Sequence, residues 1–103
     1  MNVIRRTQAI VDITEAAEYL MIDGLEIAIR FVDAVDYSIE TLKKSPKIGH
    51  VIEDLDEPDI RMWFVKGFPK YLIVYRTKAD ELDILRVIHS AQDFYRVLGR
   101  IVD

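Results

Sequence analysis

Ile84-Leu85-Arg86-Val87-Ile88-His89-Ser90-Ala91-Gln92-Asp93 is the stretch on which the fold turns, because two kinds of periodicity meet inside it. Up to His89 the segment from Leu82 is rich in β-branched and apolar residues, which predicts a strand. From Ser90 the pattern Ser-x-x-Asp has the form of a capping box. Phe94, Val97, Leu98, Ile101 and Val102 then recur at the i, i+3, i+4, i+7, i+8 spacing of a closing helix. A strand that hands over to a helix through its own cap places that helix against the sheet.

Working back from Leu82, Ile60 to Val65 and Tyr71 to Tyr75 are also strand-like. The separators are Gly67 to Lys70, which contains Pro69, and Lys78 to Glu81. Connections this short predict antiparallel neighbours, so the three strands form a meander. Val51 to Leu55 reads either as one more strand or as a loop, and the acidic run Glu53, Asp54, Asp56, Glu57 with Pro58 favours an exposed connection.

The first half of the chain has the other period. Asn2 to Arg6 suits a short strand, and Thr7 is a plausible cap for a helix with Ala9, Ile13, Ala16, Ala17 and Leu20 on one stripe. Asp23-Gly24 breaks the pattern. A second stripe follows at Ala28, Phe31, Val32, Val35, Ile39 and Leu42 and stops before Ser45-Pro46. So tight a break between two helices predicts an antiparallel helical hairpin. The expected fold class is α+β: a short N-terminal strand, an antiparallel helical hairpin, an antiparallel β-meander and a C-terminal helix, in one domain spanning residues 1–103.

Composition narrows the chemistry. Half of the 103 residues are hydrophobic, enough for one core. There are no cysteines, which removes thiolate metal sites, cysteine nucleophiles and disulfides together. Met1 to Arg6 leads straight into mixed polar sequence and no apolar run reaches the roughly 20 residues of a membrane span, so a cytoplasmic chain with no membrane contact is expected. The net charge of −4 opposes a broad basic surface for nucleic acid, although Lys43, Lys44, Lys47, Arg61, Lys66, Lys70, Arg76 and Lys78 gather in the middle of the chain. With no Gly-rich phosphate loop, nucleophile elbow or paired-carboxylate motif, and with His50 and His89 far apart, neither a cofactor nor a metal is expected.

The order of elements, with the residues at its joints, resembles the RelE/ParE superfamily of toxins from toxin–antitoxin modules, often labelled plasmid stabilisation proteins. Residues 84–93 look like the ParE-branch pattern of an apolar strand, Arg-Val-Leu-His, two small residues, Arg and Asp, with Gln92 standing where the arginine is usual. Phe31-Val32-Asp33-Ala34, Leu42 through Pro46 to Gly49, Arg61 to Val65, Phe68, Tyr71, Ile73 and Tyr75 add to the likeness.

The resemblance implies one of two targets. One branch cuts mRNA on the ribosome and the other inhibits DNA gyrase. Metal-independent RNA cleavage needs an activated 2′-hydroxyl, a protonated leaving oxygen and a stabilised phosphorane. RelE-like nucleases place an arginine in the strand matching Tyr71 to Tyr75, another after the last strand and a tyrosine in the closing helix. The corresponding positions here are Leu72, Gln92 and the neighbourhood of Leu98. The resemblance therefore favours a ParE-like growth-arresting toxin that inhibits gyrase. Its alternatives are a ribosome-dependent endoribonuclease, or a degenerate toxin that keeps only antitoxin binding. A nuclease would draw on Arg61, Lys66, Arg86, His89 and Tyr95. The family also implies a cognate antitoxin that folds onto the toxin in a hetero-oligomer, with Ala16, Leu20, Phe31 and Val35 on the two helices as expected contacts.

Each candidate has a structural reading too. Arg86 lies in a strand covered on both faces, so it needs a carboxylate, Asp93 or a helical acid, or else it serves a phosphate. His89, at the strand exit, suits acid–base work or a structural role. Tyr95 is either a target contact or an ordinary surface residue. Arg61, Trp63 and Val65 share one strand face opposite Ile60, Met62 and Phe64. That face with Lys66 either binds a target, as Trp beside Arg suggests, or packs Trp63 into the core.

Overall fold

The structure, a computed structural model, describes residues 1–53, 55 and 57–90. The closing helix expected from Phe94 to Val102, and with it Tyr95, lies outside the described residues. The elements are β1 (Asn2–Arg5), α1 (Thr7–Leu20), a 3₁₀ turn (Met21–Asp23), α2 (Leu25–Lys44), β2 (His50–Val51), β3 (Arg61–Val65), β4 (Phe68–Lys78) and β5 (Glu81–His89). They build one five-stranded sheet in the order β1-β5-β4-β3-β2. The α+β class, the helical hairpin and the antiparallel meander of β3, β4 and β5 follow the reading of the sequence.

β1 lies parallel beside β5, from Asn2 opposite Glu81 to Arg5 opposite Ile84. All other pairings are antiparallel. Both helices cover one face of the sheet. Ala9 and Ile13 of α1 and Phe31, Val35, Ile39 and Leu42 of α2 pack on Val65, Tyr71, Ile73, Tyr75, Leu82, Ile84 and Val87. Ile52 and Ile60 pack with Val74, Leu85 and Ile88 on the other face. A sheet buried on both sides explains why β4 and β5 read as nearly continuous apolar runs rather than alternating ones.

Of four local readings, three are corrected and one left open is decided. Thr7 opens α1 instead of capping it; the cap position is Arg6, whose guanidinium has no acceptor to offer the first helical amides and donates to Asp83 instead. β4 begins at Phe68 and runs through Pro69, so the turn is only Lys66-Gly67, with Val65 opposite Phe68. The positive φ of 81° at Gly67 makes so tight a turn possible. Of the undecided segment Val51 to Leu55, Val51 is paired in β2, His50–Val51, while Ile52, Glu53 and Leu55 belong to no strand.

The fourth concerns parity on β5. Val74 pairs with Arg86 while Tyr75 pairs with Ile84, so Leu85 is an extra residue in the ladder. This bulge moves Ile88 to the face opposite Leu82 and Ile84, whereas strict alternation along the strand predicts all three on one face with Arg86.

Two polar ties lock the helices and loops to the sheet. Ser38 donates to the Ala34 carbonyl and accepts the Lys66 amide at 3.0 Å, fastening α2 to the β3–β4 turn. The buried Tyr75 hydroxyl donates to the Pro46 carbonyl at 2.8 Å and accepts the Gly49 amide at 2.9 Å. A Cβ at Gly49 would run into that hydroxyl and the Met62 carbonyl, so only glycine fits there. Burial raises the Tyr75 hydroxyl above its ordinary pKa, so it stays neutral and remains a donor.

Candidate functional site

β1 stops pairing at Ile84, so beyond it the outer edge of β5 has no neighbouring strand among the described residues. α1 passes there, and Asp12 meets that edge: one carboxylate oxygen accepts the Val87 amide at 3.0 Å and the Arg86 Nε at 2.7 Å, and the other accepts Arg86 Nη2 at 3.0 Å. The Asp12 side chain is 7% exposed and that of Arg86 16%. A two-pronged guanidinium–carboxylate contact of this kind fixes both groups. The expectation that Arg86 needs a helical acid is met by Asp12, and the guanidinium is engaged in holding α1 to β5.

A second ionic group lies toward the β1 end. Asp83, nearly buried, accepts Arg6 Nε and Nη2 at 2.9 and 2.8 Å and lies 3.4 Å from Arg76 Nε. Arg76 in turn pairs with Glu57. The Arg6 hydrogen bonds, aided by Arg76 and opposed by burial, hold the Asp83 carboxyl below its ordinary pKa. Nothing in the sequence pattern singled out this cluster, because its members are spread from residue 6 to residue 83.

The residues expected to touch a target fall on or beside β3. Arg61 Nη1 donates to the Lys47 and Gly49 carbonyls at 3.2 and 2.9 Å, so it braces the loop leading to β2. Lys66 Nζ lies 4.6 Å from the centre of the Tyr37 ring. Trp63 packs partly against the helix-side core, and its ring stacks on Phe64 at 4.7 Å, with His50 at 6.4 Å. β2 covers only Arg61 and Met62, so the edge of β3 at Phe64 has no neighbouring strand among the described residues. Phe64 is 42% exposed. The edge therefore presents aromatic rings between cations.

His89 sits against Tyr71, edge to face at 4.9 Å, beside a groove bordered by Glu15 and Tyr19 of α1. It is remote from Arg61. Across β4, His89 is opposite Tyr71 and Arg61 is opposite Tyr75. Four residues along a strand and two strands across separate them by roughly 16 Å, from a rise of about 3.3 Å and a spacing of about 4.8 Å. Arg86 is bound to Asp12, Arg61 to backbone carbonyls, and Leu72 is half-buried among apolar neighbours. The four described nuclease candidates, Arg61, Lys66, Arg86 and His89, thus do not surround one phosphate.

The expected antitoxin contacts divide differently. Phe31 and Val35 are fully buried in the core and offer a partner nothing; the stripe that contains them faces the sheet. Ala16 and Leu20 are half-buried against the same core. The exposed apolar residues of the hairpin include Ile10 and Val11 on α1 and Met21, Ile22, Leu25, Ile29 and Val32 at the turn and on α2. Leu25, Ile29 and Val32 form a second apolar stripe at i, i+4, i+7 spacing, a signal present in the sequence but hidden by the longer core stripe beside it.

Comparison with known proteins agrees with this architecture. The family described as "ParE toxin of type II toxin-antitoxin system, parDE" matches residues 3–94. The fold is similar to a chain of the "Chromosomal ParDE TA system from P. aeruginosa", with a TM-score of 0.72 at 19% identity over 86% of this chain and 95% of that one. No curated protein matches.

Proposed function

The chain belongs to the ParE toxin family of type II toxin–antitoxin systems, and from that premise we propose that it arrests growth by binding and inhibiting DNA gyrase, not by cutting RNA, and that a cognate antitoxin neutralises it in a cytoplasmic complex. The observation that carries the proposal is the engagement of Arg86 by Asp12. The strand arginine best placed for phosphate chemistry is committed to scaffold, and Arg61 is likewise committed to the Lys47 and Gly49 carbonyls. The net charge of −4 supports the same reading, since prolonged binding to ribosomal phosphates rests on cationic surface.

The face offered to the target is the edge of β3. Phe64 and Trp63 supply stacked rings, Lys66 a cation, and the unpaired edge a place for extended backbone. Arg61 contributes by holding the Lys47–Gly49 loop that borders this edge.

Expression without the antitoxin tests the reading. Growth arrest with intact mRNA is the expected result. Translation-dependent cuts that vanish on His89→Ala would instead establish a ribosome-dependent nuclease, and unimpaired growth would establish a degenerate toxin that retains only antitoxin binding.

A further inference from the structure

The groove between α1 and the outer edge of β5 lies away from the edge of β3. Because β1 pairs only as far as Ile84, α1 flanks the sheet directly beyond that point, across a cavity of about 400 Å³. That volume is in the usual range of small-molecule sites. On the helix side, Asp12, Glu15, Ala16 and Tyr19 follow one another at i, i+3, i+4 and i+7, which sets them on one face of α1. On the sheet side stand Tyr71, Val87 and His89. Tyr71 is directly opposite His89, and Val87 is two residues back on the same face.

These groups differ in how far they are already engaged. Both oxygens of Asp12 are taken, by Arg86 and the Val87 amide. Glu15 is exposed and makes no ion pair among the described residues, so it carries the free charge of the groove. Tyr71 is 9% exposed, and its ring packs against Phe31 and His89, 4.9 Å from each. Its hydroxyl makes no hydrogen bond among the described residues, yet no fully buried polar side-chain atom lacks a partner there. The hydroxyl therefore opens on the groove. Burial, and next the proximity of Tyr19, raise it above its ordinary pKa, so it stays neutral and can accept a hydrogen bond. Tyr19 is 65% exposed and brings an aromatic ring to the mouth.

A free carboxylate, a neutral oxygen acceptor and an aromatic ring recognise an organic cation. An anion would meet Glu15. A metal ion needs more oxygen ligands than these, and no cluster able to hold one occurs among the described residues. Ala16 and Val87 suit an alkyl chain behind the charge. We propose that the groove between α1 and β5 binds an alkylguanidinium or alkylammonium group, with Glu15 as counter-ion, the Tyr71 hydroxyl as acceptor and the Tyr19 ring as cation–π partner. The site is independent of the gyrase reading and of the β3 edge.

The test is titration of isotope-labelled protein with n-butylguanidinium, followed through NMR amide shifts, with n-butanol as the neutral control. The cation is expected to shift the amides of Glu15 to Tyr19 and of Val87 to His89 saturably, and butanol to leave them in place. Glu15→Gln and Tyr19→Ala, both at exposed positions, should each weaken binding about 5-fold, and Tyr71→Phe about 3-fold. Thermal unfolding of each variant checks that the fold is kept. A blocked arginine derivative distinguishes the sources of the cation. Its tighter binding assigns the groove to a basic side chain of a protein partner, whereas tighter binding of the free alkyl cation assigns it to a small amine or guanidine; both uphold the site. A Glu15→Gln variant that binds like the wild type overturns the proposal, as does a wild type with no saturable shift. Equal shifts with butanol reduce the groove to an apolar cleft, and shifts spread equally over Glu26 and Asp33 mark general attraction to acidic surface; either result overturns it too.

Discussion

Arg86 donates both prongs of its guanidinium to the Asp12 carboxylate, at 2.7 and 3.0 Å, across 74 residues of sequence. The same carboxylate accepts the Val87 amide. One short acid thereby joins α1 to β5 and, among the described residues, satisfies the edge amide beyond the end of β1.

Asp12→Ala should therefore act as a scaffold mutation. It leaves a largely buried guanidinium and an edge amide without their acceptor, and a loss of about 2–3 kcal/mol in unfolding free energy is expected, below the cost for a fully buried pair because Arg86 keeps some solvent contact. Arg86→Lys should also destabilise the fold with Asp12 present, since an ammonium cannot reproduce the fork to the carboxylate. Urea unfolding of the two single variants and the double variant measures the coupling. Strict additivity would contradict the shared role.

Asp83 gives the acid limb of stability. Its carboxyl is held below its ordinary value chiefly by Arg6, so in the folded chain it gives up its proton more readily than in the unfolded one. The stabilisation is complete above the unfolded value near 4 and is lost as pH falls from there through the lower folded value. Melting temperatures between neutral and acid pH should fall less steeply for Asp83→Asn, which starts lower at neutral pH. Parallel curves for variant and wild type would refute the assignment.

The Tyr75 hydroxyl serves two backbone groups of the loop before β2. Tyr75→Phe leaves the buried Gly49 amide without an acceptor, at a cost of about 1–3 kcal/mol. Gly49→Ala should be at least as damaging, because its Cβ meets the hydroxyl and the Met62 carbonyl. Combining the two should cost less than their sum, since removing the hydroxyl also removes one of the clashes. Chemical denaturation of the three variants reads this directly.

The edge of β3 should separate stability from function. Phe64→Ala removes an exposed ring and should change unfolding free energy by no more than about 0.5 kcal/mol, while reducing growth arrest on induction. Arg61→Ala should lower both, because it releases the Lys47–Gly49 loop. Full toxicity in Phe64→Ala would move the target face elsewhere.

Legibility in the sequence followed the range of the forces involved. The helical hairpin and the meander were readable because Ala9, Ile13 and Leu20, or Ile73 and Tyr75, repeat with a local period. Leu85 was not readable as a bulge, because an extra residue exists only relative to the partner strand. Phe31 and Val35 were correctly seen as a stripe but assigned to a partner, since α2 is apolar on two faces and only the sheet decides which is covered. The need of Arg86 for an acid was visible. That the acid is Asp12 follows from β1 running parallel to β5, a pairing no periodicity encodes.

The most direct measurement for the central claim is DNA supercoiling by purified gyrase, titrated with this protein alone and with its antitoxin. Supercoiling is expected to be blocked, with the block relieved by the antitoxin and weakened by Phe64→Ala. Supercoiling that stays unaffected by protein that arrests cells, with mRNA cut on translating ribosomes, would contradict it.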